Sequence, residues 1–193
     1  PDMWAYDGKV KRFEYSPEKA LALLAEAGFE RGSDGVLRKN GTPFEFTVLV
    51  NQGNVVRIQS AELIQRRLSA IGITMKIRVL EWATLINDFI DKRNFEAVLL
   101  GWTIPNDPDL FDIFHSSKQG PKELNFTAYE NSEVDVLLVK ARHTLDRSER
   151  KKYLDRIQEL LSEDQPYTFL FVPYSTVAIH RRFKGIEPAP AGI

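Results

Sequence analysis

The chain has 193 residues, and a chain of that size buries roughly 70% of its unfolded surface, enough for a full core. Its 26 basic and 27 acidic residues leave a net charge of -1, which argues against a nucleic-acid binder. The absence of cysteine excludes disulfides, thiolate zinc sites and Cys nucleophiles, and no apolar run approaches the roughly 18 residues of a membrane span. No signal peptide is visible, but Pro1 is not a natural start, so the sequence reads as an excised piece.

Taken in order, residues 2–13 lack a clear period and read as an entry segment. Ser16 caps a helix with Pro17 in its first position; Ala20, Leu21, Leu24 and Ala25 form the buried stripe and Gly28 ends it. Residues 31–42, rich in Gly, Asp, Asn and Lys, predict a turn or short hairpin, and Phe44 to Val50 a strand. After the polar turn 51–54 a helix spans Val55 to Ile71, with Val56, Ser60, Ile64, Leu68 and Ile71 on one face and Gly72 at its end. Ile73, Met75, Ile77 and Val79 alternate with Thr74, Lys76 and Arg78, the period of a strand with one wet face. Glu81-Trp82 closes that strand, Leu85, Ile86, Phe89 and Ile90 make the next helix stripe, and Phe95 to Leu100 reads as a strand buried on both faces. Strand, helix and strand at this spacing predict an α/β fold with helices on both sides of a mixed, mainly parallel sheet.

In the second half Asp109 caps a short helix through Phe114, and 116–125 is polar and irregular. Asn131 or Ser132 starts a helix with Val134, Leu137, Leu138, Ala141 and Leu145 inward. Another, Ser148 to Glu163, turns Tyr153, Ile157, Leu160 and Leu161 inward. Tyr167 to Val172 reads as a strand, Ser175 to His180 as a second, and Gly185 to Ile193 as a loosely held tail.

The most informative stretch is Val98 to Asp109. An apolar run stops at Gly101, which lets the backbone turn; Trp102 follows, and Pro105 and Pro108 keep the strand from continuing. Trp102 therefore falls at the carboxyl end of a strand, where open α/β sheets bind ligands. Trp102 and Trp82 each have two readings, a flat platform for a ligand or a core residue at a strand end. Asp107, Asp109 and Asp112 fit neither a calcium loop nor a glycosidase pair; Asp109 as a helix cap and Asp107 as a turn former account for them, with a ligand cation contact as the competing reading. His115, His143 and His180 lack metal-ligand spacing, no G-x-S-x-G elbow is present, and the basic run 147–156 is interleaved with acids as on a solvated helix face.

The chain resembles the extracellular solute-binding proteins of ABC transporters, in the dipeptide, oligopeptide and nickel group. The resemblance is carried by Tyr15-Ser16-Pro17-Glu18-Lys19-Ala20 running into Leu24 to Phe29, and by Asp34-Gly35-Val36-Leu37-Arg38 before Gly41-Thr42-Pro43-Phe44. It is carried further by Glu81-Trp82, by Gly101-Trp102 before an Asp-Pro-Asp loop, by Tyr129 to Asp135, and by Glu163 to Pro166. No one of these is specific; their order and spacing are. The resemblance covers the C-terminal lobe of a two-lobe protein and implies a three-layer α/β lobe of the type II periplasmic-binding-protein kind, residues 1–193 forming that single lobe. It implies capture of a peptide or similar small solute by lobe closure, outside the cytoplasmic membrane or in the periplasm. The partners it implies are the missing N-terminal lobe and an ABC permease; it implies no enzymatic step, no cofactor, no metal and no nucleic acid.

Trp82, Trp102 and Thr103 match positions lining the family's pocket, and Asn125 matches another. Where peptide-binding members place an acid three residues beyond the tryptophan to hold the ligand's amine, this chain has Pro105; its loop is about one residue shorter, which offers Asn106 or Asp107 as stand-ins. A sensing domain of a transcriptional regulator or receptor, built on the same lobe, is the alternative.

Overall fold

Ser16 opens the first helix: its hydroxyl accepts the Lys19 amide at 3.2 Å, Pro17 occupies the first turn, and α1 runs Pro17–Glu26. In this computed structural model, which describes residues 3–103, 107–173 and 178–186, the chain falls into two compact units. One comprises Phe13–Trp102 with Gly120–Phe126, the other Pro1–Arg12, Thr103–Gln119 and Thr127–Ile193.

The first of these units is built on a parallel sheet. α1 ends in a Schellman motif: Phe29 N–H donates to Leu24 O and Gly28 N–H to Ala25 O, both at 2.9 Å, with Gly28 at φ 86°. Ala20, Leu21 and Leu24 pack on Leu37, Ile71 and Ile73, whereas Ala25 is exposed, so the stripe is narrower than predicted. The predicted hairpin is a three-stranded antiparallel ribbon of β1 (Glu30–Arg31), β2 (Leu37–Lys39) and β3 (Thr42–Pro43). β4 (Glu45–Asn51) leads into α2 (Val55–Ala70), and β5 (Thr74–Leu80) returns parallel to β4.

Asn54 caps α2 by accepting the Arg57 amide at 3.0 Å. The buried line of α2 passes through Ala61, with Ile58, Ile64 and Leu68 beside it; Val56, predicted inward, lies in the first turn and is exposed. α3 (Trp82–Thr84) runs directly into a π-helical turn, Leu85–Ile90, which buries Leu85 and Ile90 as the sequence predicts. β6 (Ala97–Leu99) pairs parallel to β4, giving the order β5-β4-β6. It is shorter than the predicted strand and half-buried, because among the described residues its ladder is to β4 alone.

The second unit is helical. α4 (Phe111–Phe114), α5 (Ser132–His143) and α6 (Arg147–Asp164) bury Ile113, Phe114, Val134, Leu138, Ala141, Leu154, Ile157, Leu160 and Leu161 together with Ala5. Asp109, predicted to cap this helix, lies one residue before its N-cap Leu110, and its carboxylate accepts the Phe111 amide at 3.0 Å. Asn131 caps α5 by accepting the amides of Glu133 and Val134 at 3.0 and 3.2 Å. Asn131→Ala should therefore cost about 1 kcal/mol, read as a lowered urea midpoint; an unchanged midpoint contradicts the cap.

Two predictions fail here. Leu145 lies past the end of α5 and is 96% exposed. Tyr167 to Val172 forms no strand, and Phe169, Leu170, Phe171 and Val172 are exposed: the β-prone composition is present, but no ladder partner is found among the described residues. The predicted second strand and the tail lie largely outside the described residues.

Candidate site at the carboxyl edge of the parallel sheet

β4, β5 and β6 run parallel and end together, at Asn51, Leu80 and Leu99. With adjacent strands about 4.8 Å apart, β5 and β6 flank β4 at roughly 10 Å from each other. Trp82 follows β5 and Trp102 follows β6, so both leave the same edge of one sheet. They are 50% and 38% exposed, too open for core residues.

The two tryptophans are fixed differently, Trp82 through its backbone turn and Trp102 through a ring contact. Trp82 begins α3, and the Glu81 carboxylate caps that turn by accepting the Thr84 amide at 3.1 Å. Bonds from the Ala83 and Thr84 amides hold the Glu81 carboxyl below the ordinary glutamate range. A depressed folded pKa means the cap is intact above the unfolded value and is lost as pH falls through the folded one. Carbon-detected NMR should accordingly find Glu81 titrating at lower pH than a glutamate of the unfolded chain. A midpoint at or above that reference contradicts the cap.

Trp102 lies over Phe126, ring centroids 5.9 Å apart and planes 24° from parallel, and Phe126 meets Phe95 edge-on at 6.1 Å. The stack presents one face of the indole and supports the other. Phe126 was not among the predicted site residues; its only signal in the sequence is an aromatic side chain directly after Asn125 in a polar stretch. Asn125 itself is completely buried, and its carbonyl accepts from Arg93 Nη2 at 3.5 Å.

Three predicted residues remain. Thr103 is exposed and begins the helical unit. Asn106 lies outside the described residues. Asp107 pairs with Arg150 at 2.6 Å, and the Arg150 guanidinium also lies 6.0 Å from the Trp4 ring. Among the described residues no cluster of three or more His, Asp or Glu is arranged to hold a metal, and no helix is long and apolar enough to cross a membrane.

An open parallel sheet with aromatic side chains at its carboxyl edge is the place where ligands bind in open α/β folds. Residues 1–122 match the middle segment of the bacterial extracellular solute-binding proteins, family 5, and the chain belongs to that family. The oligopeptide-binding protein AppA of Bacillus subtilis (strain 168) is 40% identical over 194 residues, which is 98% of this chain and 36% of that protein. The dipeptide-binding protein of Escherichia coli K12 is 30% identical over 196 residues, 100% of this chain and 34% of that protein.

The structure of B. subtilis AppA in complex with a nonapeptide superposes with a TM-score of 0.81, covering 89% of this chain and 34% of that one at 40% identity. NikZ from Campylobacter jejuni, in complex with Ni(L-His), superposes with a TM-score of 0.76 at 32% identity, covering 84% and 33%. The fold is thus that of the type II periplasmic binding proteins. The chain spans about a third of the length of the curated relatives it matches.

Proposed function

We propose that these 193 residues belong to one lobe of a two-lobe solute-binding protein that serves an ABC importer outside the cytoplasmic membrane, and that its solute is a peptide. The observation that carries this is the pair of exposed indoles, Trp82 and Trp102, leaving one edge of a parallel sheet. The match to peptide-binding relatives supports the choice of solute. The missing two thirds of the relatives' length leaves room for the opposing lobe.

The mechanism is a shift of population. A ligand touching both lobes only when they are closed stabilises the closed state by the difference in its contacts, and a permease reads that state. No bond is made or broken. Trp82 and Trp102 supply flat apolar area for the ligand. Asp107 takes a ligand amine only by exchanging its present partner Arg150. Asn125, being buried, acts by carrying the segment that bears Phe126. The named relatives are an oligopeptide-binding and a dipeptide-binding protein, which favours solute capture over a regulator's sensing domain.

The test is to purify the full-length parent under native conditions and identify by mass spectrometry what leaves its cleft on denaturation. Peptides are expected. A homogeneous non-peptide solute overturns the choice of ligand, and an empty protein that takes up no peptide on titration overturns the function.

A further inference from the structure

Arg57 is the third residue of α2, and its guanidinium reaches the edge of the sheet. Nη1 donates to Asn51 Oδ1 at 2.7 Å, on the last residue of β4. Nη2 faces Gly101, where a Cβ would lie 3.2 Å away. Gly101 is not in the left-handed region, so its backbone angle does not require glycine. The missing Cβ leaves room for Arg57. Among the described residues no carboxylate lies within ion-pair distance of Arg57, so no charge pair accounts for its pose.

We propose that Arg57 is a positioning residue: tied to β4 through Asn51 and seated against the bare backbone of Gly101, it sets the path by which the chain leaves β6 and hence the pose of Trp102 on Phe126. The planar guanidinium is suited to this. One nitrogen is held by Asn51 while the other faces Gly101, a fork that a lysine ammonium does not reproduce. The importance of this pose for a ligand rests on the reading of Trp102 as a platform; the pose itself does not.

The test uses the 193-residue chain labelled with fluorotryptophan. Its three tryptophans, Trp4, Trp82 and Trp102, give three fluorine NMR lines, assigned by single changes to Phe. Arg57→Met, Arg57→Lys and Gly101→Ala should each move the Trp102 line and leave the Trp4 line in place. In an Arg57→Met background, Gly101→Ala should add little further shift, because the group it collides with is gone. If Arg57→Met does not fold, the other two variants decide.

A Trp102 line that stays put in Arg57→Lys and Gly101→Ala overturns the proposal, and so does an equal movement of all three lines, which reports general loosening. The outcome is separable from the function. A Trp102 line that moves in a protein whose parent binds no peptide leaves the positioning role standing and sinks the transport reading. Peptide binding by a parent whose Trp102 line ignores Arg57 does the reverse.

Discussion

Replacing Gly72 by alanine should cost roughly 2–5 kcal/mol, from about 1–2 kcal/mol for a left-handed residue with a Cβ and about 1–3 kcal/mol for overpacking. Gly72 closes α2 in a Schellman motif at φ 88°: Ile73 N–H and Gly72 N–H donate to Leu68 and Ser69 carbonyls, each at 3.0 Å. A Cβ there would lie 2.4 Å from the Gly35 carbonyl oxygen and 3.1 Å from the Leu37 nitrogen. Both are backbone atoms and cannot swing aside. The same Leu37 nitrogen donates to the Gly72 carbonyl at 2.8 Å, so the alanine also disturbs the bond joining the ribbon to the end of the helix.

Gly28 supplies the control. It closes α1 in the same motif at φ 86°, but its nearest neighbour is the flexible end of Lys39 at 3.6 Å. Gly28→Ala should therefore cost only the left-handed part, about 1–2 kcal/mol. Urea unfolding of the two variants side by side checks the ordering. Equal losses would show that the ribbon does not press on Gly72 as described.

The contrast between these glycines shows what a linear reading can find. Helix ends are local: Ser16 with Pro17, Asn131, Gly28 and Gly72 act on atoms within about one helical turn, and all are visible as punctuation. The alternation around β5 is local in the same sense, and with the apolar run before it places parallel strands on either side of a helix. From that, Trp82 and Trp102 follow as residues at strand ends.

What joins distant segments stays hidden. Nothing near Gly101 announces Arg57, nothing near Trp102 announces Phe126, and Asp107 does not reveal that Arg150 holds it. The same limit explains the errors. Leu145 keeps the helical period but lies beyond the last turn, and Tyr167 to Val172 has strand composition without a partner to complete a ladder. Asn125 matched a pocket position by its place in the chain, while its burial is decided by the fold around it.

In the full-length parent, Trp102→Ala should weaken peptide binding by about 2 kcal/mol, roughly 30-fold, the scale on which a central aromatic contact is lost. The indole is 38% exposed here, and its stack on Phe126 leaves an apolar face for a ligand to cover. Loss of the stack itself is worth only about 0.5–1.5 kcal/mol, so the fold should survive and the affinity should carry most of the change. Trp102→Phe keeps a flat ring and should lose less.

Trp82→Ala tests the other side of β4. Because its first turn is capped by Glu81 rather than by the indole, that variant should also stay folded. Calorimetric titration of a peptide that copurifies with the parent provides the measurement. If Trp102→Ala binds as tightly as the unmodified protein while the melting temperature falls, the indole serves the packing of the sheet's edge and the ligand sits elsewhere. If affinity falls at constant melting temperature, and falls less with phenylalanine, the ring is the surface on which the peptide lies.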